Sequence, residues 1–126
     1  MAEMSTPLRI LIADDDALVR LVARAVVEKA GMSVIEAADG AEALSCLDSD
    51  ERFDLVLLDL DMPVIGGLDI LRRIRASAET AHVPVLVLTG ADGAEMQTAL
   101  DLGASGIFPK PIAAERLLAR IREVAS

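Results

Sequence analysis

The stretch LVLLDLDMP, residues 55–63, decides how this sequence is interpreted. Its first four residues are apolar and predict a buried strand, and two carboxylates, Asp59 and Asp61, follow almost at once. Removing an unpaired carboxylate from water is costly, and proteins offset the cost by protonation, a partner charge or a metal ion. We therefore expect Asp59 and Asp61 to belong to a site that other parts of the chain complete.

Outward from this stretch, short apolar runs alternate with amphipathic segments along the whole chain. The predicted strands are 8–13, 33–37, 54–58, 83–89 and 105–108. The predicted helices are 17–31, 39–50, 67–77, 93–103 and 113–125. In the first helix, one face is shared by the apolar residues Leu18, Leu21, Val22, Ala25 and Val26. The alternation predicts an α/β fold, a parallel five-stranded sheet with helices on both faces, over 8–125 after an N-terminal tail, 1–7.

Composition narrows the function classes. The chain has 126 residues, 53% of them hydrophobic, which suits one domain with a proper core. Its net charge of −9 argues against a nucleic-acid surface and is compatible with cation binding. The single cysteine, Cys46, excludes an internal disulfide. No apolar run approaches the roughly 20 residues that span a bilayer, so we expect a cytoplasmic domain without membrane contact.

Polar residues follow four of the five predicted strands. In open α/β sheets, ligands bind beyond the carboxyl ends of the strands. The residues at those ends are Asp14, Asp15, Asp16, Asp59, Asp61, Thr89 and Lys110. Clustered carboxylates repel one another unless a cation such as Mg²⁺ neutralises them. A carboxylate can also act as a nucleophile and form an aspartyl phosphate, whose oxygens a metal ion, a lysine and a hydroxyl would neutralise.

Four motifs together resemble the receiver domain of two-component response regulators. They are LIADDDALVR (11–20), LVLLDLDMPVIGG (55–67), VLVLTGADG (85–93) and GASGIFPKP (103–111). The resemblance covers 8–125 and implies the flavodoxin-like (βα)5 fold with strand order 2-1-3-4-5.

The resemblance also implies a ligand set for the cofactor Mg²⁺. Asp59 is expected to be the phosphoacceptor and also a metal ligand, and Asp14 and Asp15 the acidic pair that binds the metal, with Asp15 the more direct ligand. The backbone carbonyl of Asp61 would complete the protein's coordination. Asp16, the third residue of the acidic run, is expected only to cap the helix or face solvent.

The remaining roles concern the phosphoryl group and the output. By the resemblance, Thr89 hydrogen-bonds the phosphoryl group and moves with it, Lys110 pairs with a phosphoryl oxygen, and the Lys110–Pro111 bond is cis. The family usually carries Tyr or Phe three residues before the lysine, as a switch coupled to the threonine. Here that residue is Ile107, which would change rotamer with Thr89 as a smaller switch, and Phe108 should point to the opposite face of the strand.

The resemblance implies a signalling module rather than an enzyme that turns over a free substrate. It would catalyse only its own phosphorylation and dephosphorylation, with a sensor histidine kinase or histidine phosphotransfer protein as donor. A separate protein or an attached output domain would respond, and we expect a monomer, with a weak dimer as the alternative. A stand-alone regulator and the receiver of a longer one would give the same pattern.

Two other functions stay open at this point. The first is a receiver-like adaptor that is never phosphorylated. The second is an aspartyl-phosphate phosphatase of the haloacid-dehalogenase kind, whose DxDxT motif the DLDMP segment partly resembles. Pro63 stands where the threonine of that motif would be.

Overall fold

The computed structural model describes residues 7–90 and 93–125, in which strands and helices alternate strictly. The strands are β1 (Arg9–Ala13), β2 (Ser33–Ala37), β3 (Leu55–Asp59), β4 (Val85–Thr89) and β5 (Gly106–Pro109). The helices are α1 (Ala17–Lys29), α2 (Gly40–Asp48), α3 (Gly67–Ala76), α4 (Gly93–Asp101) and α5 (Ala114–Ala125). Each predicted element is present. The predicted tail, 1–7, lies outside the described residues except for Pro7.

The five strands form one parallel sheet in the order β2-β1-β3-β4-β5, which confirms the predicted fold. Its register sets the height at which each strand ends. Ala13 of β1 lies opposite Leu58 of β3, so the residues that follow them, Asp14 and Asp59, lie side by side at the carboxyl edge of the sheet. Thr89 ends β4 opposite Pro109 of β5, one residue before Lys110. The topology thus brings four separate segments to one edge.

Side chains alternate between two core layers, one on each face of the sheet, as the period of a strand requires. Leu11, Val56 and Val87 face the layer that α2, α3 and α4 cover. Ile12 and Leu57 face the layer that α1 and α5 cover. All five residues of β3 and of β4 are buried. The carboxylate of Asp59 therefore stands at the end of a strand that has no solvent-facing side.

The packing of α1 differs from what its apolar face suggested. The helix packs on the sheet through Ala23 and Val27, both fully buried, whereas Leu18 and Leu21 are 65% and 63% exposed. In this rotation of the helix, Arg20 and Arg24, which lie one turn apart, both pair with Glu36 on β2.

None of the described helices is both long enough and apolar enough to cross a membrane.

Candidate functional site

The buried polar side chains of the described residues lie at the carboxyl edge of the sheet. Among the described residues, the buried polar or charged ones are Asp14, Asp59 and Thr89. Each stands at or just after the end of a different strand, β1, β3 or β4. The prediction that these residues converge on one edge is confirmed.

Lys110 joins the two buried carboxylates. Its Nζ donates to Asp59 Oδ1 at 3.1 Å and lies 2.8 Å from Asp14 Oδ2. The second contact is a close ion pair, in which the exposed fraction of the Asp14 side chain is zero. The Lys110 amide donates to the Thr89 carbonyl at 3.2 Å, and the Lys110–Pro111 bond is cis, as the resemblance implied.

The acidic turn after β1 supplies a third carboxylate. Oxygens of Asp14, Asp15 and Asp59 all lie within 4.8 Å of one another, although Asp15 itself is exposed. The Asp16 amide donates to Asp14 Oδ1 at 2.9 Å, which holds the turn closed. Asp16 caps α1 as predicted, since its side chain accepts from the Leu18 amide. It also lines the cleft above the site, which the sequence did not indicate.

Asp61 lies in the loop after β3 and is exposed. Its amide donates to Asp59 Oδ1 at 3.3 Å, so this oxygen has two donors, the other being Lys110. The second oxygen, Asp59 Oδ2, is buried and has no hydrogen-bond partner among the described residues. A buried carboxylate oxygen left in this way needs a ligand or a proton.

The electrostatics of the cluster follow from burial. Desolvation, and then the neighbouring charge of Asp14, raise the pKa of Asp59 to about 6, against the opposing effect of Lys110. Burial lowers the pKa of Lys110, but the contacts with Asp14 and Asp59 outweigh it and hold that pKa above its usual value. One ammonium thus faces three carboxylates, and the site has an unmatched negative charge.

These residues fit a divalent cation. Mg²⁺ is held by carboxylates and carbonyls together with waters, and it leaves open positions for phosphate oxygens. The close carboxylates of Asp14, Asp15 and Asp59 supply that chemistry, and Asp59 Oδ2 is an oxygen that the cation would satisfy.

The two residues Ile107 and Phe108, before Lys110, show which face of β5 packs against each core layer. Phe108 is buried in the layer under α1 and α5, whereas Ile107 is half-buried and packs against the opposite layer. The expected reversal of the aromatic side chain is therefore confirmed. Ile107 lies opposite Val87, two residues before Thr89. Its coupling to Thr89 stays a prediction.

Two contacts that support the site were not identified from the sequence. Arg20 Nη1 donates to the carbonyl oxygen of Asp14 at 2.7 Å. Gly67, at the start of α3, passes so close to β3 that a Cβ there would overlap the carbonyl oxygen of Asp59. An arginine in the first helical turn after an acidic run was a usable signal for Arg20. The close approach at Gly67 had no local signal.

The class of protein follows from the fold and the site together. Receiver domains have a sheet of order 2-1-3-4-5, and at its carboxyl edge they place a buried carboxylate beside an acidic pair, a lysine and a hydroxyl. The model of the response regulator receiver domain matches residues 10–122, and the chain belongs to that family. It is thus a receiver module of two-component signalling.

Individual relatives agree with this assignment. The response regulator MprA of Mycolicibacterium vanbaalenii is 45% identical over 117 residues, which are 92% of this chain and 49% of the relative. The chain therefore spans about half the length of the curated relatives it matches.

Solved structures show the same fold. The chemotaxis response regulator CheY4 of Vibrio cholerae superposes with a TM-score of 0.89 at 32% identity, over 94% of this chain and 99% of that one. The receiver domain of sensor histidine kinase PA1611 from Pseudomonas aeruginosa, solved with a magnesium ion coordinated in its active-site cleft, gives a TM-score of 0.85 at 26% identity, over 95% of this chain and 98% of that one.

Proposed function

We propose that Asp59 accepts a phosphoryl group from a phosphohistidine of a sensor histidine kinase or a histidine phosphotransfer protein. Receiver domains of response regulators interact with histidine kinases, which makes such a donor the natural one. The observation that carries the proposal is the state of Asp59: it is buried, and it keeps one oxygen, Oδ2, without a hydrogen-bond partner among the described residues.

In the transfer, the N–P bond of the donor breaks as an O–P bond to Asp59 forms, and the leaving imidazole takes the electron pair. Lys110 Nζ, already 3.1 Å from Asp59 Oδ1, lies where it can pair with an oxygen of the incoming group. The hydroxyl of Thr89, at the end of the neighbouring strand, is the proposed donor to another phosphoryl oxygen. Mg²⁺ bound by Asp14, Asp15, Asp59 and the carbonyl of Asp61 would neutralise phosphoryl charge.

The acceptor is a residue of the chain itself, so the module would catalyse only its own phosphorylation and dephosphorylation. The phosphoryl group adds charge at the end of a buried strand, and the conformation that best accommodates it becomes more populated. A downstream protein or an attached output domain would bind that conformation.

Intact-mass measurement after incubation with Mg²⁺ and phosphoramidate tests the proposal. We expect one added phosphoryl group on the wild type, none on Asp59→Asn, and none when a chelator removes the metal. Asp54→Asn is the matched control, because Asp54 is an exposed carboxylate just before the same strand, at its other end. An unmodified wild type with Mg²⁺ bound would overturn the proposal and favour a receiver-like adaptor.

A further inference from the structure

Arg20 connects the acidic turn to the edge strand of the sheet. Its Nη1 donates to the Asp14 carbonyl at 2.7 Å, and its Nε donates to Glu36 Oε1 at 3.0 Å. The side chain is only 17% exposed, although it begins in the first turn of α1. Both contacts come from one planar guanidinium, whose rigid fork lets it bond a carbonyl and a carboxylate together.

The carbonyl that Arg20 holds lies beyond the end of the strand ladder. The pairing of β1 with β2 ends at Ala13 and Ala37, and none of the described residues after Ala37 donates its backbone amide to the Asp14 carbonyl. Arg20 therefore supplies a donor to the Asp14 carbonyl where the neighbouring strand no longer does. Without this donor, the buried carbonyl would lack a hydrogen bond, and no contact would fix the orientation of its peptide group.

That carbonyl belongs to the peptide group that leads into Asp15. Because the peptide is planar, a donor that fixes the Asp14 carbonyl also fixes the direction in which the chain enters Asp15. Asp15 is exposed, so burial in the core does not orient it. Asp14 is held at its other groups as well: its amide donates to the Ala37 carbonyl at 3.1 Å, and its carboxylate pairs with Lys110.

We propose that Arg20 is a positioning residue for the cation site. Oriented by Glu36, it holds the peptide between Asp14 and Asp15 so that both carboxylates face Asp59. This inference rests on the proposed binding of Mg²⁺. Arg20 does not touch the reacting groups, and it acts through the backbone of the acidic turn.

The test compares two arginines that share a partner. Arg24 donates to Glu36 Oε2 at 2.6 Å and pairs with Glu28 at 3.1 Å, one turn further from the site. Mg²⁺ affinity is measured by calorimetry for Arg20→Ala and Arg24→Ala, and urea unfolding without metal is measured beside it. We expect Arg20→Ala to weaken Mg²⁺ binding about tenfold, the order seen when the partners that orient metal ligands are removed. We expect Arg24→Ala to change it by no more than about twofold, as a largely exposed pair would.

Two further variants locate the effect. Arg20→Lys keeps the charge but lacks the fork, so we expect it to bind Mg²⁺ almost as weakly as Arg20→Ala. Glu36→Gln keeps an acceptor for Arg20 Nε and should bind almost as tightly as the wild type. If Arg20→Ala does not fold, Arg20→Lys carries the comparison with Arg24→Ala.

The outcomes distinguish failure of the positioning role from failure of the proposed metal site. Wild-type affinity in the Arg20 variants, with Mg²⁺ bound by the wild type, would overturn the positioning role and leave the proposed function standing. An equal loss in Arg24→Ala would overturn it too, because the loss would then follow the Glu36 ion pairs and not the Asp14 carbonyl. If the wild type itself binds no Mg²⁺, the proposed metal site is what fails.

Discussion

The two ends of the parallel sheet both carry clustered carboxylates, yet they hold them in opposite ways. At the carboxyl end, Asp14 and Asp59 are buried, and Lys110 bridges them. At the amino end, a hollow is lined by exposed acidic residues, which are Asp48, Asp50, Glu51, Asp54 and Glu79. Arg9 pairs there with Glu51 at 2.7 Å, with both side chains about 40% exposed.

The contrast teaches that burial, and not the number of acidic residues, is what suits the carboxyl end to a cation. Water already solvates the carboxylates of the amino end, and a surface pair such as Arg9–Glu51 contributes little. At the carboxyl end, water is largely excluded from Asp14 and Asp59, and the single ammonium of Lys110 offsets only part of their combined charge.

The backbone differs between the two ends as well. At the amino end, the residues with positive φ are glycines, Gly31 at +86° and Gly103 at +104°. At the carboxyl end, the residue with positive φ among those that the structure describes is Val64 at +72°, in the loop between β3 and α3. Gly67, where that loop meets α3, is required because a Cβ would overlap the Asp59 carbonyl, and not because of its φ.

The largest effect on stability should come from replacing a glycine of the carboxyl end by alanine, and a glycine of the amino end gives the comparison. Gly67→Ala would drive a methyl group into the Asp59 carbonyl and push α3 away from β3, which should lower the free energy of unfolding by about 3 kcal/mol or more. Gly31→Ala has open space around it and should lose only about 1 kcal/mol, because of its positive φ. Urea unfolding measures both, and equal losses would show that the carboxyl end is no more tightly packed.

The next effect concerns pH. The pKa of Asp59 is raised to about 6 by burial and by Asp14. The folded state therefore holds this proton more tightly than the unfolded chain does. The stabilisation is present in full below the unfolded pKa and is lost as the pH rises through about 6. The side chain of Asp59→Asn cannot titrate. The free energy of unfolding of this variant, relative to that of the wild type, should therefore rise by about 2–3 kcal/mol between pH 4 and pH 7 in the absence of metal.

Asp54→Asn, at the amino end, is the control for this measurement, since its carboxylate is exposed. Urea unfolding at several pH values, with chelator present, gives both differences. A gain of the same size in Asp54→Asn would mean that burial of Asp59 is not its cause.

The same contrast explains what could be predicted from the sequence. The alternation of apolar runs and helical segments predicts a parallel sheet, and in such a sheet the residues that end its strands meet at one edge. Asp14, Asp59, Thr89 and Lys110 could therefore be placed together without any knowledge of distances. The burial of Asp59 followed from the apolar run of β3, which has no polar alternation.

The contacts of α1 could not be predicted in that way. Its apolar residues are spread over most of the helix, so periodicity alone does not decide which face meets the sheet. Leu18 and Leu21 are exposed in the same helix rotation in which Arg20 and Arg24 reach Glu36, which is twelve or more residues away in the sequence. The bond from Arg20 to the Asp14 carbonyl is a consequence of the same rotation.

The smallest effect should come from Val64. A β-branched residue at φ +72° is strained, and such strain is commonly found in loops that shape a functional site. Val64 is 77% exposed, so replacing it removes little packing. Val64→Asn, a residue that tolerates this conformation, should raise the free energy of unfolding by about 1 kcal/mol. Val64→Ala, which keeps a Cβ but not the branch, should gain less. Urea unfolding distinguishes the two, and a loss of stability in Val64→Asn would mean that the loop at the carboxyl end holds no strain for the substitution to release.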